Sequence, residues 1–375
     1  MQHWKTTLTA AGTTLAEVNI RRGIFQGDSL SPLLFIIAMI PMTKALRKTK
    51  NGYQLGKQDA VINHLMFMDD IKIYGKNAKS LESLVHTVRI ITEDMKMEFG
   101  IEKCAVINIV KGQTIQSEGI QLPDGKTMKD IGEMSYKYLG ILEDDRIKHE
   151  EMKVNIRKEY FSRLRAVLKS KLNGGNTVKA INTWAVPVVR YSGGIVDWTK
   201  EDIKNMDRKT RKLMTIHRAL HPRSSVARLY LPRKSGGRGM QSIEDCINIE
   251  KRALGQYLKH NEDEWLKTAW NEKLIRVDEE PEIYKERVTS QRKEEWENKQ
   301  MHGQYQRQTR EVASEGSWEW LTRGELKKET EGMLMAAQEQ ALRTRYVQNK
   351  IDGQIAISLM CRKCNKKKRR PSTTS

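Results

Sequence analysis

Apolar residues fall in short alternating runs through the first third of the chain and at steps of three and four through much of the rest. Val61, Ile62, Leu65, Met66, Phe67 and Met68, followed by Ile71, Ile73 and Tyr74, predict two strands flanking an acidic turn, a β-hairpin with Asp69 and Asp70 at its tip. Upstream, a short helical or loop start leads into residues 15–22, whose alternation suits an edge strand. Ser31 is placed to cap a helix, and Pro32 sits at its first position, where the missing N–H costs nothing. Leu33, Leu34, Ile37 and Ala38 predict the packed face of that helix, and Pro41 a kink. Beyond the hairpin, Leu81, Leu84, Val88, Ile91, Met95 and Phe99 predict an amphipathic helix that stops at Gly100. Residues 101–110 follow as a strand.

From about residue 148 the pattern turns helical and basic. Phe161, Leu164, Leu168 and Leu172 make one stripe, while Lys153, Arg157, Lys158, Arg163, Arg165, Lys169 and Lys171 fill the remaining surface. A second cationic cluster runs from Asp207 to Arg223. Within it, His217 and His221 would share a helix face, but no third metal ligand accompanies them. Residues 228–233 and 236–240 predict either a surface loop or a segment that offers arginines and flexible backbone to a nucleic-acid strand. Residues 262–345 are rich in Glu, Lys, Arg and Gln with interspersed Trp, which predicts charged helices, weakly packed or partly disordered between 278 and 308.

Charge sharpens this picture. The 375 residues carry 67 Lys and Arg against 47 acids, a net +20 with an isoelectric point near 9.7. That excess points to a polyanionic partner, where phosphate neutralisation releases counterions. Any single cluster also fits a merely soluble basic surface. Four cysteines, at 104, 246, 361 and 364, form no disulfide framework. The longest apolar run, Leu33 to Met42, is too short for a bilayer, and the first residues do not read as a signal peptide. The expectation is an intracellular protein, nuclear or cytoplasmic, not secreted and without a membrane partner. Cys361 and Cys364 have the spacing of half a zinc site with no second half, so zinc is not expected. Residues 366–371 form a basic tail suited to nucleic acid, to a nuclear address or simply to solvent.

Two adjacent carboxylates repel unless they are solvated or bridged by a cation, and their hard oxygens suit Mg²⁺. Asp-Asp alone is an ordinary turn dipeptide. The stretch Gly23-Ile24-Phe25-Gln26-Gly27-Asp28-Ser29-Leu30-Ser31-Pro32-Leu33-Leu34-Phe35, followed downstream by Phe67-Met68-Asp69-Asp70, resembles the palm of reverse transcriptases, and most of all the non-LTR retrotransposon (LINE-type) branch. The resemblance implies that Gln26, Gly27, Ser31, Pro32 and Phe67 lie by template and incoming nucleotide, and that Asp69 and Asp70 carry the catalytic Mg²⁺. Residues 99–106 resemble the family's next motif, which makes Lys103 the residue that handles the nucleotide's phosphates and protonates pyrophosphate. Tyr136-Lys137-Tyr138-Leu139-Gly140-Ile141 resembles the hairpin that grips the primer, through Tyr138, Leu139 and Gly140. The basic helix that follows is similar to a thumb, with Lys153, Arg157, Lys158, Arg163 and Lys169 holding the duplex by its phosphates.

The expected fold is α+β: a partial polymerase palm at 1–145, a helical thumb and basic segment at 146–260, a charged helical region at 261–350 and a basic tail with the half zinc knuckle at 351–375. The implied function is RNA-directed DNA polymerisation, with RNA template, DNA primer and dNTP as partners. In the family one further metal-binding Asp comes from a strand well before the Gln26 turn. The only acid before Asp28 is Glu17, too near the turn to serve. The expectation is therefore an N-terminally truncated enzyme, inactive alone because two-metal phosphoryl transfer needs carboxylates from more than one place. The alternative is a non-catalytic RNA- or DNA-binding remnant using the basic helices and tail. An unrelated metal enzyme would leave the Gln26–Pro32 stretch unexplained.

Overall fold

Turn chemistry and alternation start the chain as a hairpin. The computed structural model describes residues 5–350, 352–354 and 360, apart from 21, 22, 25, 26, 50, 55–60, 98, 99, 123, 124, 133, 134, 273–276, 278 and 310–313. Strand β1 (Lys5–Ala10) pairs antiparallel with β2 (Thr13–Asn19) across Ala11 and Gly12, both at positive φ. That is the turn geometry that matches strand twist. Residues 5–10 are thus a strand rather than a helical or loop start.

Helix α1 (Ser31–Lys48) runs unbroken through Pro41. Its buried apolar side chains are Met39, Met42 and Leu46, with Phe35 half-buried on the same face, whereas the expected packing residues Leu33 and Ile37 are 53% and 52% exposed. The first half of the helix is apolar nearly all round, so periodicity could not choose its face. Contact with the acidic hairpin, β3 (His64–Phe67) and β4 (Asp70–Ile73), and with helix α2 (Ala78–Asp94) decides it. Leu84 and Val88 of α2, together with Met66, Ile71 and Ile73, complete that cluster. Asn63 locks hairpin to helix by donating to Leu46 O at 2.6 Å.

Helix α2 starts at Asn77, whose Oδ1 accepts from Ser80 N at 2.8 Å. It stops at Asp94 instead of running to Gly100. Lys96, at φ +59°, donates to Glu93 O while Met97 N donates to Thr92 O, a Schellman closure made without glycine. The expected strand at 101–110 divides. Ile101–Lys103 is a 3₁₀ turn, β5 (Ala105–Val106) follows, and residues 108–110 enter a separate small hairpin with 113–115. Strand β6 (Ile120–Gln121) pairs with β7 (Thr127–Asp130), which lies parallel to β5. Val85, Ile120, Leu122 and Met128 form a second small cluster.

The chain folds as two compact units, Met1–Leu139 and Gly140–Ser375. It passes from one to the other between β8 (Tyr136–Tyr138) and β9 (Ile141–Glu143), through Leu139 and Gly140, both at positive φ. The second unit is helical: α3 (His149–Lys169), α4 (Gly174–Ala180), a π-helical turn at Ile181–Ala185, α5 (Val186–Gly193), α6 (Lys200–Ile216), α7 (Val226–Tyr230), α8 (Ile243–His260), α9 (Pro281–Asn298) and α10 (Lys328–Gln338). Together with the small sheets of the first unit, this makes the chain α+β. Tyr160 and Thr210 join α3 to α6 by a 3.0 Å hydrogen bond inside one continuous core. Asp207 of α6 accepts from Ile243 N and Glu244 N, tying α6 to the start of α8. Because α6 ends at Ile216, His217 and His221 do not share a helix face.

Residues 228–240 are neither a surface loop nor a donor of free arginines. Arg228 is buried between Trp296 and Trp318, 4.8 and 5.4 Å from their ring centroids, and Arg238 is buried against Glu331, which also holds Arg233. The segment expected to be loosely packed between 278 and 308 therefore supplies, in Trp296, a wholly buried side chain. Buried guanidinium groups need such partners, since an unpaired charge in the interior is costly. Cys361, Cys364 and the basic tail lie outside the described residues.

Candidate functional site

The acidic hairpin sets the geometry. Phe67 pairs with Asp70 and Leu65 with Lys72, and Met68, at φ +54°, makes the turn that carries Asp69. Because side chains alternate along a strand, Ile71 and Ile73 point into the core while Asp70, Lys72 and Tyr74 share the opposite face. Asp69 and Asp70 are exposed, and Phe67, across from Asp70, is 60% exposed. Gly75 then allows the chain to turn sharply, because a Cβ there would lie 2.7 Å from Leu81 N at the first turn of α2.

Two contacts gather the other residues of this unit. The Lys72 ammonium lies 5.4 Å from the Tyr138 ring centroid and 5.8 Å from that of Tyr74. Tyr136 Oη donates to Lys103 O at 2.8 Å. The Asp hairpin, β8 and the turn bearing Lys103 thus converge, with the Lys103 side chain exposed. Lys72 belongs to none of the motifs, yet the alternation Asp70-Ile71-Lys72 places its ammonium on the carboxylate face.

Gln26 lies outside the described residues. Gly27, at φ +95°, precedes Asp28, whose Oδ2 accepts from Ser31 Oγ at 3.3 Å, and Pro32 is exposed at the start of α1. Phe35, Met39 and Met42 of α1 share a cluster with Met66 and Ile71, so this helix and the hairpin belong to one packed body. Among the described residues no group of three His, Cys, Asp or Glu side chains is placed to hold a metal. Two adjacent exposed carboxylates do fit Mg²⁺, which is commonly held through one or two carboxylates together with substrate phosphates and water. Glu17 stands apart on the exposed β1–β2 hairpin, 3.5 Å from Lys5.

In the second unit the five α3 cations expected to hold the duplex, out of the six on that helix, have different surroundings. Lys153 is only 3% exposed, its ammonium 2.7 Å from Glu150 and 3.0 Å from Asp202. Arg157 pairs with the same Asp202 and lies over Trp198. Burial works against the Asp202 charge, yet hydrogen bonds from Lys153, Thr199 and Arg157 hold its carboxyl down at about 2. Arg163 donates to Glu159 at 2.7 Å and to Trp184 O at 3.0 Å. Lys158 and Lys169 are exposed.

Residues 2–142 match the family model described as reverse transcriptase (RNA-dependent DNA polymerase). The chain is 24% identical over 246 residues to the retrovirus-related Pol polyprotein from type-2 retrotransposable element R2DM of Drosophila melanogaster, covering 64% of this chain and 22% of that protein. To the Pol polyprotein from type-1 retrotransposable element R2 of Popillia japonica it is 24% identical over 277 residues, 71% of this chain and 43% of the relative. To the corresponding R2 protein of Nasonia vitripennis it is 22% identical over 249 residues, 65% and 24% respectively. The chain thus spans less than half the length of each of these relatives. The matches bear out the resemblance to a non-LTR reverse transcriptase drawn from the two motifs.

Proposed function

We propose that this chain works as part of an RNA-directed DNA polymerase of the non-LTR retrotransposon type, its substrates an RNA template, a DNA primer and a deoxynucleoside triphosphate. The observation that carries the reading is that Asp70 and Lys72 share one face of the acidic hairpin, with Tyr138 beside Lys72 and Tyr136 of the same strand hydrogen-bonded to Lys103 O. Residues 1–145 act as palm and 146–260 as thumb. Asp69 and Asp70 hold Mg²⁺, which when bound stabilises the charge that develops on the transferred phosphoryl group. Phe67 and the Gln26–Pro32 segment flank template and nucleotide, Tyr138, Leu139 and Gly140 steady the primer strand, and Lys103 neutralises phosphate oxygens. A reading without chemistry, in which the chain only binds RNA or DNA, is favoured by the exposed Lys158 and Lys169 of α3.

Two carboxylates on one hairpin cannot by themselves hold both ends of an in-line displacement. Residues 1–375 expressed alone are therefore expected not to extend a primer on an RNA template in Mg²⁺. Joined in one chain to an upstream segment that brings a strand-borne Asp, they should extend it, and Asp69→Ala should then cut the rate at least about a hundredfold. Extension by residues 1–375 alone, abolished by Asp69→Ala, would overturn the inactivity while keeping the metal assignment. Extension indifferent to Asp69→Ala would overturn the assignment itself.

A further inference from the structure

Two large rings on the second unit take no part in its core. Trp184, in the π-helical turn before α5, is 47% exposed and Tyr191, on α5, is 65% exposed. Along an α-helix seven residues make close to two turns and rise about 10 Å, which sets the two positions on one side of it. Pro187 accounts for the wide turn that holds Trp184. It has no N–H to give the carbonyl one turn back, and the ladder re-registers over Ile181–Ala185.

Each ring has a distinctive neighbour. The Arg163 guanidinium sits 5.5 Å from the Trp184 ring centroid while donating to Trp184 O. At the other end Tyr191 lies against Gly140, where an added Cβ would be 3.4 Å from Tyr191 Cε1. The stripe therefore runs from an arginine-backed indole to the turn assigned above to the primer strand. Isolated exposed aromatics are ordinary, but two in register, with these neighbours, in a chain of net charge +20 make a platform of the kind on which nucleobases stack.

We propose that Trp184 and Tyr191 are stacking platforms for the bases of an unpaired nucleic-acid strand that runs along α5 to the Gly140 turn. The inference deepens the polymerase reading and rests on it. A separation of about 10 Å matches roughly three nucleotides of a stacked strand. Arg163 already has a carboxylate partner in Glu159, so the stripe offers ring faces more than net charge. Duplexes keep their base faces covered and are not its ligand.

The test is anisotropy of a labelled twelve-nucleotide single-stranded RNA with the full chain across a salt series, beside a blunt duplex of the same length. Trp184→Ala and Tyr191→Ala should each weaken single-strand binding roughly five- to hundredfold, leave the slope against salt unchanged and spare the duplex. Trp184→Phe and Tyr191→Phe should keep most of the affinity, while Lys158→Ala should lower the salt slope instead. Single-strand affinity unchanged in both alanine variants, with circular dichroism as in the parent, would overturn the stacking proposal and leave the polymerase reading standing. Equal losses on single strand and duplex would also overturn it, by pointing to backbone contacts. No binding of either ligand by the parent chain would overturn both readings.

Discussion

In Gly140–Ser375 the apolar side chains from Ile141 to Ile247 join one continuous core, and a buried charge cluster around Glu331, Arg233 and Arg238 adds a polar interior. Met1–Leu139 instead divides its interior between two small clusters, one around Met39, Met42, Leu46, Leu84 and Val88 and one around Val85, Ile120, Leu122 and Met128. Most of its sheets are two-stranded, and isolated hairpins are marginal in water. On α1, moreover, Leu33, Ile36, Ile37 and Ile40 face solvent. The difference separates the proposed site from the better-packed unit. The acidic hairpin and Lys103 belong to the thinner unit, exposed on short elements, while in the thicker unit the buried Arg228 and Arg238 find carboxylate partners.

The comparison breaks most readily at Glu331. Its carboxylate holds Arg233 at 2.6 Å and Arg238 at 2.9 Å, and Arg238 is wholly buried. Glu331→Ala strands that guanidinium and should destabilise the second unit by about 3–5 kcal/mol, read as faster hydrogen exchange in α10 and the 228–240 segment with α1 and α2 unchanged. A small loss would mean that the charge cluster does not hold this unit together. Next in size is Leu84→Ala, at the centre of the first unit's larger cluster, with an expected cost of about 2–4 kcal/mol. Here exchange should rise in α1, α2 and the acidic hairpin together, because all three contribute side chains to that cluster.

These expectations also explain what was legible in the sequence. The acidic hairpin and α2 could be read because their periods, two and three to four, agree with their turns and caps. The packed face of α1 could not, because apolar residues occur nearly all round its first half and only the partner elements select Phe35, Met39 and Met42. The early stop of α2 was hidden because a lysine, Lys96, takes the left-handed position where glycine is the usual sign. Among the candidate site residues, Asp69, Asp70 and Lys103 were visible as motif members, and the alternation placed Lys72 on the carboxylate face. The contact of Lys72 with Tyr138 and that of Tyr191 with Gly140 were not visible, since each joins elements far apart in the chain. Arg228 and Arg238 misled for the same reason: the partners that bury them, Trp296, Trp318 and Glu331, come long after them in the chain.

The smallest effect is the sharpest test of the contrast. Leu33 and Ile37 are as apolar as Met39 and Met42 and share their helix, yet they face solvent. Substituting both with Gln removes no packed contact from the cluster, so each change should alter stability by no more than about 0.5 kcal/mol, the usual range for exposed sites. Met39→Gln, which places an amide without a partner in the larger cluster, should cost several times as much. Hydrogen exchange across α1 and α2 resolves the two cases in the same chain. If Leu33→Gln with Ile37→Gln instead loosens α1 as much as Leu84→Ala does, that face is covered in solution. The first unit would then be packed on this face as well, through a contact made by this same surface.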